Sequence, residues 1–439
     1  MARTLFSYPS LVMSTDVTNQ EAPVYMSKLQ QIFRKSTAED VLFARYLLNV
    51  DLDELSSKSP LIKKYRFILS REQEEAKHLL TEKEEIMYSK LRELSSGSWS
   101  RLQGLTTANL PVLFRDKEIT LSEVRNLAYD NDSSVRKDAY DAELKAYETI
   151  EDQVALALSN IKREVVIMNE LRGHESALSR TLFQSKMSKE TLDAMIEAMK
   201  DYRPQFAKYL KAKSTYLKHE GSLPFYDMFA PVGSSSKEFT IDEAMNYIFD
   251  NFKTFSDGLE GLAKRAYDEE WIDFTSRPGK RGGAFCANIH PIKQSRILTN
   301  FSGSFCSVIT LAHELGHAYH GDQIFAERIT NSSYTMPVAE TASTFCETIV
   351  LKAALKEAEG DELLAILESD LQGSTAVIVD ILSRYIFETN VFDSQKENFL
   401  DENKLKEMMT DAQKQTYGDS MDPDYLNPYM WVWKPHYYS

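Results

Sequence analysis

Two histidines and a glutamate within one helical turn are the residues of this chain best suited to chemistry. In His313-Glu314-Leu315-Gly316-His317 the histidines are four residues apart, so a helix places their side chains one above the other on the same face. Two imidazoles in that arrangement can bind one Zn²⁺, and the carboxylate between them can reach a water on the metal. Because five letters also arise by chance, the surrounding sequence has to support this interpretation.

The predicted helix that carries the motif is strongly apolar. It covers 305–320 (FCSVITLAHELGHAYH), and Gly321 is expected to end it as a C-cap. Histidines buried in such a helix need polar partners, which favours a metal site over histidines that fill a core or cap a helix. His320 shares the face of His313 and His317, and we predict that it is structural or supports the ligands from behind.

The next predicted helix offers a third ligand. A catalytic zinc needs three protein ligands and one position open for water. Pro337 can begin a helix reading PVAETASTFCETIVLKAAL, in which Glu340 lies on a largely apolar surface, where an unpaired carboxylate is costly. Glu347, seven residues later on the same face, can orient a ligand through a hydrogen bond. The alternative for Glu340 is an exposed glutamate that the helix dipole favours near a helix start.

The same letters also fit a different metal site. Glu314 and His317 form an E-x-x-H pair, and Glu75 and His78 form a second one. Two such pairs with two further glutamates bind a di-iron centre in ferritin-like bundles. His313 has no role in such a site, and Glu75 lies in a heavily charged stretch, so zinc is the favoured prediction.

Long amphipathic helices are predicted to position these residues. Apolar residues recur at helical spacing in 59–94, 132–172, 188–219, 240–268, 361–396 and 401–416. Strand patterns are few: we expect a short hairpin in 98–114, before the turn at 115–117, and another formed by 282–289 and 296–301. The predicted fold class is therefore mainly α, with a small sheet beside the metal ligands.

The composition is that of an ordinary globular protein and excludes several classes. The 439 residues are 43% apolar and 27% charged, with a net charge of −15. This acidic balance, without a block of Lys and Arg, argues against a nucleic-acid or anionic-membrane partner. No apolar run reaches the roughly 18 residues that span a bilayer, and the N-terminus lacks the pattern of a signal peptide. Three scattered cysteines predict no disulfide framework. We therefore expect a cytoplasmic protein.

Longer motifs around these residues resemble a known family. HELGHAYH at 313–320, followed by MPVAETASTFCE at 336–347, is similar to the thimet oligopeptidase group of metallopeptidases, and most of all to its bacterial oligoendopeptidase F branch. Segments along nearly the whole chain resemble the same branch: 4–22, 169–180, LPFYDMFAPVG at 223–233, KRGGAFCANI at 280–289, ILTNFSGSF at 297–305 and WVWKPHYYS at 431–439.

The resemblance implies a zinc endopeptidase that cleaves short peptides in a channel between two lobes. It implies that His313, His317 and Glu340 bind one zinc ion and that Glu314 is the general base. We expect an N-terminal helical lobe at 1–175 and a zinc-binding catalytic lobe at 176–439. Short peptides are the expected partners, and the sequence does not predict the oligomeric state.

Substrate contacts are implied by the same resemblance. The GGAF and TNF segments match strands that pair with the backbone of the peptide, namely Gly283, Ala284, Phe285, Asn300 and Phe301. His436 matches a histidine that stabilises the transition state, and Tyr438 is expected in the wall of the same pocket.

Compared with family members, the chain is expected to be incomplete at both ends. It begins inside the N-terminal lobe of the family and stops at Ser439, before a segment with further tyrosines, one of which donates to the transition state. Loss of such a donor is expected to cost orders of magnitude in rate. The alternative function is therefore a chain that binds zinc and peptides but is catalytically impaired or inactive.

Overall fold

The computed structural model describes residues 2–233, 238–395 and 400–439. Helices dominate these residues, and the strands are few and short. The predicted fold class, mainly α with small sheets, is confirmed. Among the described helices, none combines the length and the apolar character needed to cross a bilayer.

The first half of the chain consists of helices and one hairpin. In chain order the helices are α1 (Ala2–Thr15), α2 (Glu21–Arg34), α3 (Thr37–Leu47), α4 (Leu52–Lys58), α5 (Pro60–Ala76), α6 (Glu82–Leu91), α7 (Ser96–Ala108), α8 (Leu121–Asn126), α9 (Ser133–Tyr147), α10 (Glu151–Leu171), α11 (Ala177–Ser185) and α12 (Lys189–Tyr216). Strands β1 (Pro111–Phe114) and β2 (Lys117–Thr120) pair antiparallel between α7 and α8.

The second half contains a three-stranded sheet among its helices. Its elements are α13 (Ile241–Lys253), α14 (Asp257–Asp268), β3 (Ile272–Thr275), β4 (Phe285–Ile289), β5 (Gln294–Phe301), α15 (Phe305–Ile324), α16 (Met336–Ala339), α17 (Thr341–Glu357), α18 (Gly360–Thr375), α19 (Ile381–Ser394), α20 (Glu402–Tyr417) and α21 (Met430–Trp433). A π-helical stretch, Ala376–Asp380, lies between α18 and α19.

The chain divides into two compact units, each built from two separate stretches. The first unit is Met1–Glu82 with Ser235–Glu359, and the second is Lys83–Ser234 with Gly360–Ser439. The division predicted after residue 175 falls inside the second unit. Every candidate metal ligand belongs to the first unit.

The first unit has a core that packs helices against its sheet. Phe252 of α13, Trp271 beside β3 and Leu311 and Leu315 of α15 are almost completely buried in it. Full burial of a side chain of this size contributes roughly 1.5–3 kcal/mol. The motif helix α15 is thus held by its apolar face.

The sheet of the first unit has the strand order β3-β5-β4. β4 and β5 pair antiparallel, with Phe285 opposite Leu298, which confirms the predicted hairpin. β3 adds a parallel strand on the other side of β5, with Ile272 opposite Ile297, and the sequence pattern did not predict it. β5 is therefore the central strand, and β4 is an edge strand.

The second unit has a core shared by α9, α10, α20 and the C-terminal segment, residues 429–438. Tyr147, Leu158 and Trp431 are completely buried in it. Gln103 of α7 donates a hydrogen bond from Nε2 to the carbonyl of Val432, at 2.8 Å. The C-terminal segment is thereby fixed by apolar packing and by hydrogen bonds from other parts of its unit.

Several predicted helices have the right place but the wrong continuity. The 59–94 pattern is two helices, α5 and α6, and the 132–172 pattern is α9 and α10. The pattern at 240–268 is interrupted before Ser256, which caps α14. The predictions at 188–219 and 401–416 are confirmed as α12 and α20, to within a few residues. The reason for the errors is that the apolar period continues across each break.

Two further predictions need correction in detail. Most of 98–114 is helix α7, and only its last residues form β1; the hairpin closes across the predicted turn, where Arg115 and Asp116 have positive φ. The pattern at 361–396 is α18, the π-helical stretch and α19, and its last residue lies outside the described residues.

Candidate metal centre

Helix α15 directs its two motif histidines to one point. Ser304 caps the helix by accepting a hydrogen bond from the backbone N–H of Ser307. One turn separates His313 from His317, and their Nε2 atoms are 3.1 Å apart, with the rings nearly perpendicular at 84°. The helix continues to Ile324, so the prediction that Gly321 ends it is wrong. A Cβ at Gly321 would overlap the side-chain amide of Asn288, so packing against β4 explains this glycine.

Glu340 lies at the junction between α16 and α17. Its Oε2 is 3.2 Å from Nε2 of His313 and 3.2 Å from Nε2 of His317. Ser343 donates a hydrogen bond from Oγ to the same carboxylate oxygen, at 2.7 Å. The side chain is 56% exposed, more than the apolar sequence around it predicted. The structure therefore brings the three predicted ligands together.

Close packing of α15 on α17 places Glu340 there. A Cβ added to Gly316 would lie 2.7 Å from the carbonyl oxygen of Ala342 and 2.7 Å from the Cα of Ser343. A real Cβ cannot come so near to backbone atoms, because protein interiors are close-packed. Glycine within the HELGH motif thus lets the second helix approach the histidines.

The three donor atoms fit a zinc ion. They form a nearly equilateral triangle with sides of 3.1, 3.2 and 3.2 Å. The centre of this triangle is about 1.8 Å from each atom, close to the usual zinc–ligand distances of about 2.0–2.2 Å, so these three atoms would hold a zinc ion. Two imidazoles and one carboxylate are a donor set that leaves a position for water. Within the described part of the chain, these residues are the one such cluster of three potential ligands.

Glu347 acts on the site through His313. Its Oε1 forms a hydrogen bond with Nδ1 of His313. Burial lowers the pKa of His313, but the hydrogen bond and the charge of Glu347 outweigh it, so the pKa is raised. With Nδ1–H donated to Glu347, the lone pair of Nε2 faces the site, as a metal ligand requires.

Glu314 is a buried carboxyl group beside the ligands. It is 4% exposed, and its Oε2 has no hydrogen-bond partner. Burial raises its pKa to about 7; the charge of His313 opposes this rise, and those of Glu340 and Glu347 add to it. A carboxyl group with a pKa near neutrality can both accept and return a proton.

His320 is not one of the three clustered ligands. Its ring stacks on Tyr334, with the ring centroids 4.4 Å apart, and its buried Nδ1 has no hydrogen-bond partner. Burial lowers its pKa, which favours the neutral ring. Its role in support of the site stays a prediction.

The predicted substrate strands border the same helix. Phe285 lies in the edge strand β4, which packs on α15, and Gly283 and Ala284 precede it. Asn300 and Phe301 belong to the central strand β5. Asn300 donates a hydrogen bond from its side-chain amide to the carbonyl of Gly283, at 2.8 Å. This bond holds the residues just before β4 against β5. Pairing of these residues with a peptide stays a prediction.

The two predicted C-terminal residues belong to the second unit. Tyr438 is 1% exposed, and its hydroxyl donates a hydrogen bond to the carbonyl of Trp431, at 2.9 Å. Its side chain is therefore packed in the core of its unit, and its place in the wall of the substrate pocket stays a prediction. His436 is exposed, and its ring lies 4.5 Å from that of Tyr437. The role of His436 stays a prediction based on the resemblance.

Two supporting residues were missed by sequence reasoning. Asn288 of β4 donates a hydrogen bond to the carbonyl of His317, at 3.3 Å, and accepts one from Ser295, at 2.7 Å. Ser343 fixes the carboxylate of Glu340. Ser343 follows Glu340 by three residues, a helical spacing that could have predicted their hydrogen bond. No sequence pattern predicts the contact of Asn288 with α15.

The di-iron alternative finds no second half-site among the described residues. Helix α5 ends at Ala76, so one helix does not carry both Glu75 and His78. Neither residue belongs to the cluster of potential ligands.

Comparison with known families agrees with the site. The sequence model described as Peptidase family M3 matches residues 126–439, and the one described as Oligopeptidase F matches residues 49–111. Because the first match covers more than half of the sequence, the chain belongs to peptidase family M3. It is therefore a metallopeptidase by family, and the resemblance seen in the motifs is confirmed.

Individual relatives extend the match over nearly the whole chain. Group B oligopeptidase PepB of Streptococcus agalactiae is 24% identical over 446 residues, which cover 99% of this chain and 74% of the relative. Oligopeptidase PepF of Bacillus subtilis is 23% identical over 447 residues, with 99% and 66% covered. The crystal structure of oligoendopeptidase-F from Enterococcus faecium aligns with a TM-score of 0.70 at 18% identity, covering 100% of this chain and 75% of that one. The fold is thus that of the oligoendopeptidase F structures.

Proposed function

We propose that this chain is a zinc-dependent endopeptidase that hydrolyses internal bonds of short peptides, with Glu314 as the general base. The observation that carries the proposal is the triangle of His313, His317 and Glu340 beside a buried carboxyl group without a hydrogen-bond partner. The family supports the reaction class, and the names of the relatives support oligopeptides as the substrate class.

The chemistry follows from these residue types. His313, His317 and Glu340 would hold a zinc ion, which when bound would lower the pKa of water toward neutrality and polarise the scissile carbonyl. Glu314 takes the proton of the attacking water and later gives it to the leaving amine. Its pKa of about 7 suits it to both steps near neutral pH. Glu347 keeps His313 in the tautomer that presents Nε2 to the site.

The edge strand β4 is proposed to bind the substrate backbone. β5 already pairs with β3 and β4, so a peptide can be added beside β4 without breaking the sheet. Main-chain hydrogen bonds of this kind hold a peptide with little dependence on its side chains. Gly283, Ala284 and Phe285 are the predicted contacts at this edge.

The decisive experiment measures cleavage of an internally quenched short peptide by the zinc-loaded chain. Glu314→Gln keeps the shape of the side chain but removes the base, so we expect the rate to fall by roughly 10²–10⁴-fold. The exposed Glu327→Gln in the same unit is the matched control and should leave the rate unchanged. Zinc content is measured for all three proteins and should stay at one ion per chain.

The same experiment separates the alternative function. A chain that holds one zinc ion and binds the peptide but leaves it intact is a zinc- and peptide-binding protein rather than a peptidase. A Glu314→Gln variant as active as the original would refute Glu314 as the base. Iron in place of zinc in the purified protein would favour the di-iron alternative. The cytoplasmic location stays a prediction.

A further inference from the structure

A cavity lies inside the second unit, and none of the residues that line it belongs to the proposed metal centre. It has a volume of about 140 Å³ and lies among α8, α9, α12, the π-helical stretch and the segment before the C-terminus. Its walls are mostly apolar and aromatic; they include Tyr129, Tyr140, Leu210, Phe225, Phe229 and Trp433. Tyr129 is 58% exposed, so the cavity reaches the surface beside this ring.

Four cationic side chains line this cavity, and three of them have carboxylate partners. Arg136 donates to Asp227 at 2.6 Å, Arg125 lies 3.4 Å from a carboxylate oxygen of Glu143, and Arg384 pairs with Asp380. The fourth cation, Lys434, forms no ion pair with any described carboxylate, although it is only 7% exposed.

Lys434 is a buried lysine that has no ion-pair partner among the described residues. Its Nζ lies 4.0 Å from the centre of the Trp433 ring, and the guanidinium of Arg125 lies 3.2 Å from the same centre. The pKa of Lys434 is lowered to about 7, chiefly by burial and also by the charges of Arg384 and Arg125, while the charge of Asp380 opposes this shift. A buried ammonium group is costly unless an anion lies beside it.

Two more hydrogen-bond donors of the cavity lining lack an acceptor. The indole Nε1 of Trp433 and Nε of Arg384 are both buried and have no hydrogen-bond partner. Buried N–H groups are almost always bonded in folded proteins, so these two groups are exceptions among the residues of the lining. Among the groups of this lining, the unpaired charge of Lys434 favours a ligand that is negative.

The backbone of the cavity wall is also unusual. Ala376 and Asp380, at the two ends of the π-helical stretch, both line the cavity. Single π-helical turns are rare and occur frequently at functional sites. Here the stretch carries Asp380, the partner of Arg384.

We propose that this cavity binds a small monocarboxylate with an apolar body of about the size of a benzene ring. The carboxylate supplies the counter-charge and the hydrogen-bond acceptor for Lys434, while the aromatic walls cover the apolar body. The volume agrees with this size, since an apolar cavity of about 150 Å³ binds benzene. Water would satisfy the donors but would provide neither the charge nor the apolar contact. The proposal does not depend on the metal centre.

The test is calorimetric titration of the whole chain with phenylacetate and with phenylacetamide, which has the same shape and no charge. We expect phenylacetate to bind saturably. The amide should bind with an affinity at least about tenfold lower, because charge-assisted hydrogen bonds are roughly twice as strong as neutral ones. Lys434→Met should weaken phenylacetate binding by about tenfold or more. Lys404→Met, which removes an exposed lysine of the same unit, should leave it unchanged.

Each other outcome overturns the proposal. No saturable binding of phenylacetate, equal binding of the amide, or unchanged affinity in Lys434→Met would each refute the site. Competition by inorganic phosphate as strong as that of phenylacetate would identify a general anion site instead.

A second measurement uses the unmodified chain, so it tests the site even if the Lys434→Met variant does not fold. Acylation of lysines by an amine reagent is followed by mass spectrometry with and without phenylacetate. Phenylacetate should protect Lys434 severalfold and leave Lys404 unprotected. Equal labelling of Lys434 in both samples would contradict the proposal.

Discussion

At His313 one hydrogen bond selects the nitrogen that can bind a metal. A neutral imidazole has one N–H and one lone pair, and the carboxylate of Glu347 accepts from Nδ1. The lone pair is therefore on Nε2, which faces His317 and Glu340. Among the described residues, His317 has no such carboxylate partner outside the site, so the two histidines are oriented by different means.

Replacement of Glu347 by Gln tests this orientation. An amide accepts from Nδ1 less strongly and carries no charge, so we expect the zinc affinity to fall by roughly 10–100-fold, the usual effect of losing such a partner. Competition with a chromophoric chelator measures the affinity. Glu359→Gln, an exposed residue just beyond α17, is the control and should bind zinc like the original chain. Equal affinities for the two variants would show that Glu347 does not orient His313.

At the scale of elements, the site depends on how closely α15 and α17 pack. Glu340 lies between α16 and α17, outside both helices. Its position follows from the contact of Gly316 with Ala342 and Ser343. The sequence predicted both helices and the three side chains that meet between them, because the HELGH spacing and the following glutamate are local patterns.

Replacement of Gly316 by Ala should separate the two helices. The new methyl group would meet backbone atoms at 2.7 Å, so we expect a loss of about 1–3 kcal/mol in the free energy of unfolding, with weaker zinc binding. Gly261→Ala, at an exposed helical position of α14 with open space around it, is the control. It should stabilise the chain by up to about 1 kcal/mol. Denaturant unfolding and a zinc titration measure both effects; a Gly316→Ala chain that keeps its zinc affinity would argue against this packing as the device that places Glu340.

The elements that the sequence did not predict are those defined by distant contacts. β3 pairs with β5 across more than twenty residues, and the pattern at 272–275 is too short to identify a strand. Gly321 follows an apolar helix as a C-cap would, and only the position of Asn288 explains why it is a glycine inside the helix. The break between α9 and α10 has neither Pro nor Gly, so a continuous apolar period gave a single helix.

At the scale of the whole molecule, the compact units are built from stretches that are far apart in the sequence, whereas the predicted lobes are continuous stretches. Each unit joins a stretch from the first part of the chain to one from the second, and a linear pattern cannot express such a pairing. The core of the first unit contains residues of α13, α14, α15 and α17, and none of the described residues before Phe239 belongs to it. All three proposed zinc ligands belong to the first unit, and none belongs to the second.

Zinc binding should therefore stabilise the first unit selectively. A ligand present at 100 times its dissociation constant adds about 2.7 kcal/mol to the state that binds it, which slows exchange through unfolding of that state by roughly 100-fold. Hydrogen–deuterium exchange with mass spectrometry, with zinc and with a chelator, measures this effect in α15 and α17 and compares it with α9 and α10. We expect protection by zinc in the first pair of helices and none in the second, because no ligand lies there. The triple change His313→Ala, His317→Ala and Glu340→Ala is the control and should abolish the difference. Equal protection of both pairs by zinc would mean that the two units unfold together, and protection of α9 and α10 alone would place the zinc ion elsewhere in the chain.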